Sequence, residues 1–318
     1  MTTATAPKRS APPSAKWRGV GGRRRGLHFG ESLAGWSFAV PYLALFAVFL
    51  LGPIIATLVM SLTDFGLGAV GDPGSAQFVG ADNYKHLAGD PKFVSSALNT
   101  GYFVVAGVPL TLALGLLAAV GLNSPVAKFR SFFRVGFYTP VVTSIVAVAV
   151  VWRFVLDPDH GLVNALLHQI GVAGPDWLGT PSLAMPSIIA MAVWRNLGSV
   201  MVIFLAGLQG IPEDLYEAGR IDGTSKWTEF RRITLPLLRP TLTFAAVITS
   251  IGYLNVFEEP YVMTGGGPVD RTLTVSLYMY RQGFNFFHLG YASAMAYVLF
   301  MVILIVTVLQ LRLFRSST

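Results

Sequence analysis

Six long apolar runs decide what this chain can become. Residues 36–61, 97–122, 137–156, 183–209, 240–262 and 288–312 are nearly free of charge, and each is near or above the length that about 30 Å of hydrocarbon requires of an α-helix. In lipid the backbone must satisfy its own N–H and C=O groups, so runs of this kind predict helices. Composition points the same way. Of the 318 residues 53% are hydrophobic and only 12% charged, which excludes a soluble class and makes the bilayer the expected solvent. The predicted fold is all-α and polytopic, with six transmembrane helices over residues 36–318. Residues 1–35 are predicted to form a basic, largely disordered tail, because their Ala, Pro, Ser, Lys and Arg carry no apolar periodicity. The run at 36–61 is too long for a signal-peptide core and lacks a cleavage site, so it is predicted to remain as a helix.

Six helices put both ends on one side, and the positive charge says which. Lys and Arg number seven in the tail, three in 123–136, five in the loop 210–239 and two at the C-terminal end, against two, none and two in 62–96, 157–182 and 263–287. The positive-inside rule then predicts cytoplasmic termini and a cytoplasmic 210–239 in the cell's inner (plasma) membrane. Lys16, Arg18 and Arg23 to Arg25 are placed to hold the tail inside and touch anionic lipid. The net charge of +7 is explained by this placement, so nucleic acid is not an expected partner. With no cysteine, the chain has no disulfide framework, thiolate metal site or thiol nucleophile.

The loop between the fourth and fifth runs concentrates polarity. Gly210 to Pro240 holds five acidic and five basic residues, which suggests a docking surface. Pro212 suits a helix start, with Glu213 and Asp214 in the first turn, where the dipole favours anions. Asp222-Gly223 is predicted to stop that helix, Gly223 supplying a left-handed cap and Asp222 tying the turn. Thr224 or Ser225 can cap a second helix, with Trp227, Phe230 and Ile233 along one face and Pro236 at its end.

These residues carry a resemblance. Glu217-Ala218-Gly219, Asp222-Gly223, Phe230, Ile233, Leu235-Pro236 and Pro240 resemble the EAA loop of the membrane subunits of binding-protein-dependent ABC importers, with Gly219 and Thr224 standing where alanine is usual. The resemblance implies a type I importer permease fold in which this loop is the coupling helix, seated on an ATP-hydrolysing subunit through Glu217, Ala218, Gly219, Asp222, Gly223, Phe230 and Pro236. Phe78 to Tyr84, Asn99-Thr100 and Glu259 to Pro268 resemble outer segments of the sugar-permease subgroup. The implied partners are a second homologous permease, an ATP-binding subunit in two copies and an extracytoplasmic sugar-binding protein. The implied cargo is a carbohydrate, above all an oligosaccharide, with glycerol-phosphate compounds possible in the same subgroup.

No G-x-x-x-x-G-K-[ST] occurs, so ATP and magnesium are expected on the partner ATPase and no cofactor on this chain. H-E-x-x-H and G-x-S-x-G are missing too, and the five histidines do not cluster at ligand spacing, so nothing predicts catalysis. Arg153 lies near the end of its span and can snorkel. Arg195 is different, because a charge near mid-bilayer costs at least about 2.5–3.5 kcal/mol unless paired or hydrated; it predicts either a cavity lining or a structural Arg–Glu pair. At 1.5 Å per residue, Arg195, Asn196 and Ser199 lie about 18–24 Å below the outer surface and Tyr253 to Glu258 about 6–14 Å. By resemblance, sugar is held by these two helices, which nominates Arg195, Asn196, Ser199, Tyr253, Asn255, Phe257 and Glu258. A rival reading uses Glu258, Glu259 and Arg195 as the relay of an ion-coupled secondary transporter, which leaves the central loop unexplained. An exporter or a membrane scaffold leaves the outer segments unexplained.

Overall fold

The structure, a computed structural model, describes residues 29–124 and 129–315. The predicted tail therefore lies mostly outside the described residues. Contacts divide the chain into residues 1–54 and 55–318. In the first unit the described part is helix α1 (Phe29–Phe46), with Pro41 inside it, followed by a π turn over Ala47–Leu51. The helical run continues as α2 (Gly52–Ser61).

Among its described residues the second unit is built of helices and connecting loops, with a single Thr63–Phe78 bridge. After α2 come α3 (Leu67–Gly71), α4 (Asp82–Gly89) and the long α5 (Pro91–Asn123). Asp90 starts α5 by accepting the Lys92 N–H at 2.9 Å, and Pro91 follows at the first position, where no N–H is needed. Then come α6 (Arg130–Val142), α7 (Ile145–Val155), α8 (Leu162–Gln169) and α9 (Ala184–Gln209). The remaining helices are α10 (Glu213–Ile221), α11 (Lys226–Glu229), α12 (Leu235–Leu237), α13 (Arg239–Leu254), α14 (Glu258–Met263), α15 (Val275–Tyr280) and α16 (Leu289–Arg315).

Helix α9 is the centre. Its buried residues run from Ala184 to Leu208 around most of its circumference, as expected of a helix surrounded by others. Helix α5 packs along it with one stripe at three- and four-residue spacing: Ser96, Thr100, Phe103, Gly107, Thr111, Gly115, Ala119 and Leu122. Lipid tails are as apolar as leucine, so such packing draws on close van der Waals fit between small residues more than on exclusion of water.

Four helices are long and apolar enough to cross a membrane, 36–61, 91–123, 184–209 and 289–313. They match the first, second, fourth and sixth predicted spans. The third and fifth differ from expectation because they are broken. The third comprises α6 and α7, bent by 101° across Thr143-Ser144. Pro140 cannot donate to the carbonyl four residues back, which weakens the helix just ahead of the bend, and the Thr143 hydroxyl donates to the Thr139 carbonyl at 2.9 Å where the ladder ends. The fifth stops at Leu254 and resumes at Glu258. Pro260 leaves the Val256 carbonyl without its helical donor, and Thr274 Oγ1 donates to that oxygen at 2.9 Å instead.

The segments predicted to lie outside are tied together. Asn99 Nδ2 donates to the carbonyls of Asp270 and Leu273 at 2.8 and 2.9 Å, and the Val275 N–H donates to Thr100 Oγ1 at 3.0 Å. Asn83 Nδ2 closes the first loop on the carbonyls of Ser61 and Thr63 at 2.9 and 2.8 Å. The turn at Gly265 and Gly266 has φ of +60° and +91°, backbone that residues with a Cβ seldom adopt.

Candidate functional site

The loop between α9 and α13 folds as a helical hairpin. Helix α10 begins after Pro212 with Glu213 and Asp214 in its first turn and ends at Ile221. Gly223 turns the chain with φ +73°, and Ser225 Oγ caps α11 by accepting the Thr228 N–H at 3.3 Å. The Asp222 carboxylate is exposed and bonds no described residue, so the turn is held by backbone bonds from Gly223 N to Arg220 O and Thr224 N to Gly219 O, at 3.1 and 3.0 Å. The expectation that Asp222 ties the turn is corrected accordingly. Pro236 does not end the second helix either. A π turn over Phe230–Thr234 widens it, with the Leu235 N–H reaching the Phe230 carbonyl, and the extra width accommodates Pro236 within α12. The break comes at Leu238, where α13 departs at 67°.

The two arms are joined by Tyr216 OH and Thr234 Oγ1 at 3.0 Å. Outside this seam, Ile221 and Trp227 are 86% and 69% exposed, and Trp227 stacks on Phe230 at 5.8 Å. The hairpin thus presents apolar side chains among charged ones.

Gly219 and Thr224, the two departures from the EAA pattern, fit each other. Thr224 Oγ1 donates to the Gly219 carbonyl at 2.7 Å, and a Cβ at buried Gly219 would lie 3.0 Å from that same oxygen. Alanine at 219 alone crowds the hydroxyl, and alanine at 224 alone forfeits a bond worth about 1 kcal/mol. The double variant Gly219→Ala/Thr224→Ala is expected to be more stable than the two single effects add up to, by at least about 0.5 kcal/mol, since residues in contact couple. A thermal double-mutant cycle on the solubilised protein measures this, and strict additivity would contradict the pairing.

The nominated cargo residues fall into two groups. Asn255 and Phe257, in the break between α13 and α14, line a cavity of about 440 Å³ together with Ser276, Tyr280, Phe284 and Ser293. No Lys, Arg, Asp or Glu lines it. Asn255 Nδ2 donates back to the Ile251 carbonyl at 2.8 Å, leaving its oxygen open, and Phe257 lies 5.2 Å from both Tyr261 and Tyr280. The second group surrounds Tyr253, which is buried against Phe103, with its hydroxyl 2.7 Å from Thr111 Oγ1. Asn196, Arg195 and Glu259 are its other polar neighbours. Asn196 donates to the Ala192 carbonyl at 2.9 Å. Ser199 lies one turn beyond Arg195 on α9, half-buried.

Arg195 interacts electrostatically with Glu259, without an ion pair inside 4.0 Å among the described residues, and its Nε is buried with no hydrogen-bond partner there. Glu258, the nominated carboxylate, is exposed, and Glu259 is the buried one. The break sets this, because α14 restarts at Glu258 and turns its second residue inward. Thr111, Ser276 and Tyr280 escaped the sequence reading. They sit on other elements of the chain, so no local pattern links them to Asn255 and Phe257.

Just ahead of α5, Asp90 accepts from Tyr278 OH at 2.6 Å and Tyr291 OH at 2.7 Å. Burial pushes its carboxyl up, but these hydroxyls and the Lys92 and Phe93 N–H groups outweigh burial and hold it below the ordinary value. Burial, together with the Asp90 contact, pushes the Tyr278 phenol up to about 12.

Taken together, the long apolar helices, the two broken spans and the interposed hairpin define a polytopic helical membrane protein. The profile of the binding-protein-dependent transport system inner membrane component family matches residues 111–317, and the chain belongs to that family. It is 38% identical to the probable ABC transporter permease protein YesP of Bacillus subtilis, over 91% of each chain. It is 37% identical to the lactose transport system permease protein LacF of Rhizobium radiobacter, over 87% of this chain and 92% of the other. A solved bacterial ABC transporter for import of the acidic polysaccharide alginate superposes with a TM-score of 0.76 at 25% identity, over 91% of this chain and 97% of that one. The family and its fold are those of ABC importer permeases, in agreement with the resemblance noted in the EAA loop.

Proposed function

We propose that this chain is the transmembrane permease subunit of an ATP-driven importer for a carbohydrate, above all an oligosaccharide, received from an extracytoplasmic binding protein. The observation that carries this reading is mechanical continuity. The hairpin is braced by the Tyr216–Thr234 bond and runs through α12 into α13, and α13 ends at Asn255 on the wall of the uncharged cavity. A push on Trp227 and Ile221 by an ATPase is therefore delivered to the cargo wall. ATP and magnesium belong to that separate ATPase, and a second, homologous permease covers the apolar faces that this chain leaves exposed. Relatives named for lactose and for arabinooligosaccharides support the cargo class. So does a related solved transporter complexed with an alginate pentasaccharide-bound periplasmic protein.

Amide and hydroxyl groups beside aromatic faces suit sugar hydroxyls and the C–H faces of sugar rings. Affinity here is expected to be weak, because capture belongs to the binding protein and a tight site slows release. Asn255→Ala and Asn196→Ala are each expected to lower sugar uptake by about tenfold, the equivalent of 1.4 kcal/mol, with assembly unaffected. Unchanged uptake kinetics in both would move the cargo site to the partner permease.

In the proposed orientation both termini and the hairpin are cytoplasmic. The chain has no cysteine, so single cysteines report cleanly. Those at Ser75, Thr180 and Val269 are expected to react with an impermeant maleimide in intact cells or spheroplasts, and one at Ser225 is not. Labelling at Ser225 but not at Ser75 would invert the topology.

A further inference from the structure

A second pocket lies beside the cavity at Asn255, on the side proposed to face outward. Its volume is about 480 Å³, within the range of about 300–1,000 Å³ typical of small-molecule sites. Its walls are pinned by hydrogen bonds among the lining residues. Asp90 holds Tyr278 and Tyr291, Gln282 Nε2 donates to Tyr278 OH at 3.0 Å, and Gln282 Oε1 meets His288 Nδ1 at 2.9 Å. Asn83 spends both amide hydrogens on carbonyls, and Asp64 Oδ1 accepts the Gln77 N–H at 2.6 Å. What remains unused is a set of four groups: the other Asp64 oxygen, Asn83 Oδ1, His288 Nε2 and the His86 imidazole. The His86 ring rests 4.9 Å from that of Tyr291, tilted by 39° to it, which puts two aromatic rings beside these acceptors.

That chemistry selects a ligand. Acceptors in excess call for hydroxyl donors, and an aromatic surface calls for the apolar face of a ring. With Asp64 and Asp90 in the lining and no Lys or Arg, the pocket repels phosphate and uronate. The lining does not form a metal site, because among the described residues only Asp157, Asp159 and His160, elsewhere, converge within metal-ligand reach.

The pocket also shares walls with the first cavity. Helix α15 and the turn after it give Tyr278 and Gln282 to one and Ser276, Tyr280 and Gly283 to the other, and α16 divides Tyr291 from Ala292 and Ser293 in the same way. We propose that this outer pocket is a second carbohydrate subsite, which holds one uncharged sugar residue by its hydroxyls on the way from the binding protein to the Asn255 cavity. The proposal rests on the importer reading and narrows the cargo to neutral sugars.

The test uses the assembled transporter with its binding protein in ATP-loaded proteoliposomes. The neutral probes are lactose, maltotriose and arabinotriose, and the anionic ones are trigalacturonate and glycerol 3-phosphate. At least one neutral probe is expected to accumulate and neither anion. His86→Ala and His288→Ala, both at exposed positions, are each expected to raise the KM of that sugar about tenfold with kcat nearly unchanged, the signature of lost binding common to ground and transition states. A role in folding alone would lower kcat and thermal stability instead, and would overturn the subsite. Unchanged KM in both variants overturns it too, while leaving the importer reading standing. Accumulation of an anion overturns the restriction to neutral sugar. Failure of every probe in the unmodified transporter removes the importer reading, and this proposal with it.

Discussion

Gly223→Val is expected to cut ATP-driven uptake by at least about tenfold in an assembled transporter that still hydrolyses ATP. The residue sits at φ +73° with nothing within 4 Å of the place a Cβ would take. Sterics with neighbours are therefore not the problem. The left-handed backbone is, at about 1–2 kcal/mol for an ordinary residue and more for a β-branched one. The chain can relieve this by reopening the turn, which shifts α10 against α11 and slackens the Tyr216–Thr234 brace. On the proposed coupling, a slack lever is expected still to meet the ATPase but no longer to move α13. Paired measurement of hydrolysis and uptake checks this, and full uptake in the variant would remove the hairpin from the coupling path.

Gly198→Ala is expected to have the largest effect on the fold itself. A Cβ there would lie 2.1 Å from the Phe137 carbonyl oxygen and 3.0 Å from the Tyr138 Cα. Both are backbone atoms of α6, so no side-chain rotation relieves the clash. Overpacking usually costs about 1–3 kcal/mol, and forcing two helices apart belongs at or above the top of that range. Since Gly198 lies between Asn196 and Ser199 on α9, the variant is expected to lose folded, assembled protein and not merely activity. Gly121→Ala is the control: nothing lies within 4 Å of its Cβ position, and alanine adds helix propensity worth up to about 1 kcal/mol. Size-exclusion profiles and thermal midpoints of the two variants should diverge sharply; similar stability would contradict the close α6–α9 approach.

Much of the fold was legible because hydrophobic length and special backbone residues are local signals. The apolar runs at 36–61, 183–209 and 288–312 return as helices with nearly the same ends, and Gly223 and Ser225 occupy the turn and cap that their chemistry predicts. The bends were not legible in hydropathy: at the first, only Thr143-Ser144 interrupts the apolar run 137–156, and the polar Asn255, Glu258 and Glu259 of 240–262 read as cavity lining and not as a break. Pro140 and Pro260 lie beside them, but a proline in a membrane helix signals a kink of unspecified size. Pro236 misled in the other direction, because a π turn absorbed it. The candidate sites were legible only by halves. Asn255 and Phe257 are close in sequence, but the Asp90 contacts with Tyr278 and Tyr291 span 188 and 201 residues, and no periodicity encodes them. Choosing Glu258 over its neighbour Glu259 depended on the helix phase after a break that the apolar pattern does not show.

The measurement closest to the central claim is sugar uptake by proteoliposomes that contain this chain with its partner permease, ATPase and binding protein, with ATP inside and no ion or proton gradient. The account predicts accumulation of a neutral oligosaccharide that requires ATP hydrolysis and the binding protein and survives ionophores. Accumulation driven by an imposed ion gradient without ATP would contradict it, and would restore Glu258, Glu259 and Arg195 as the relay of a secondary transporter.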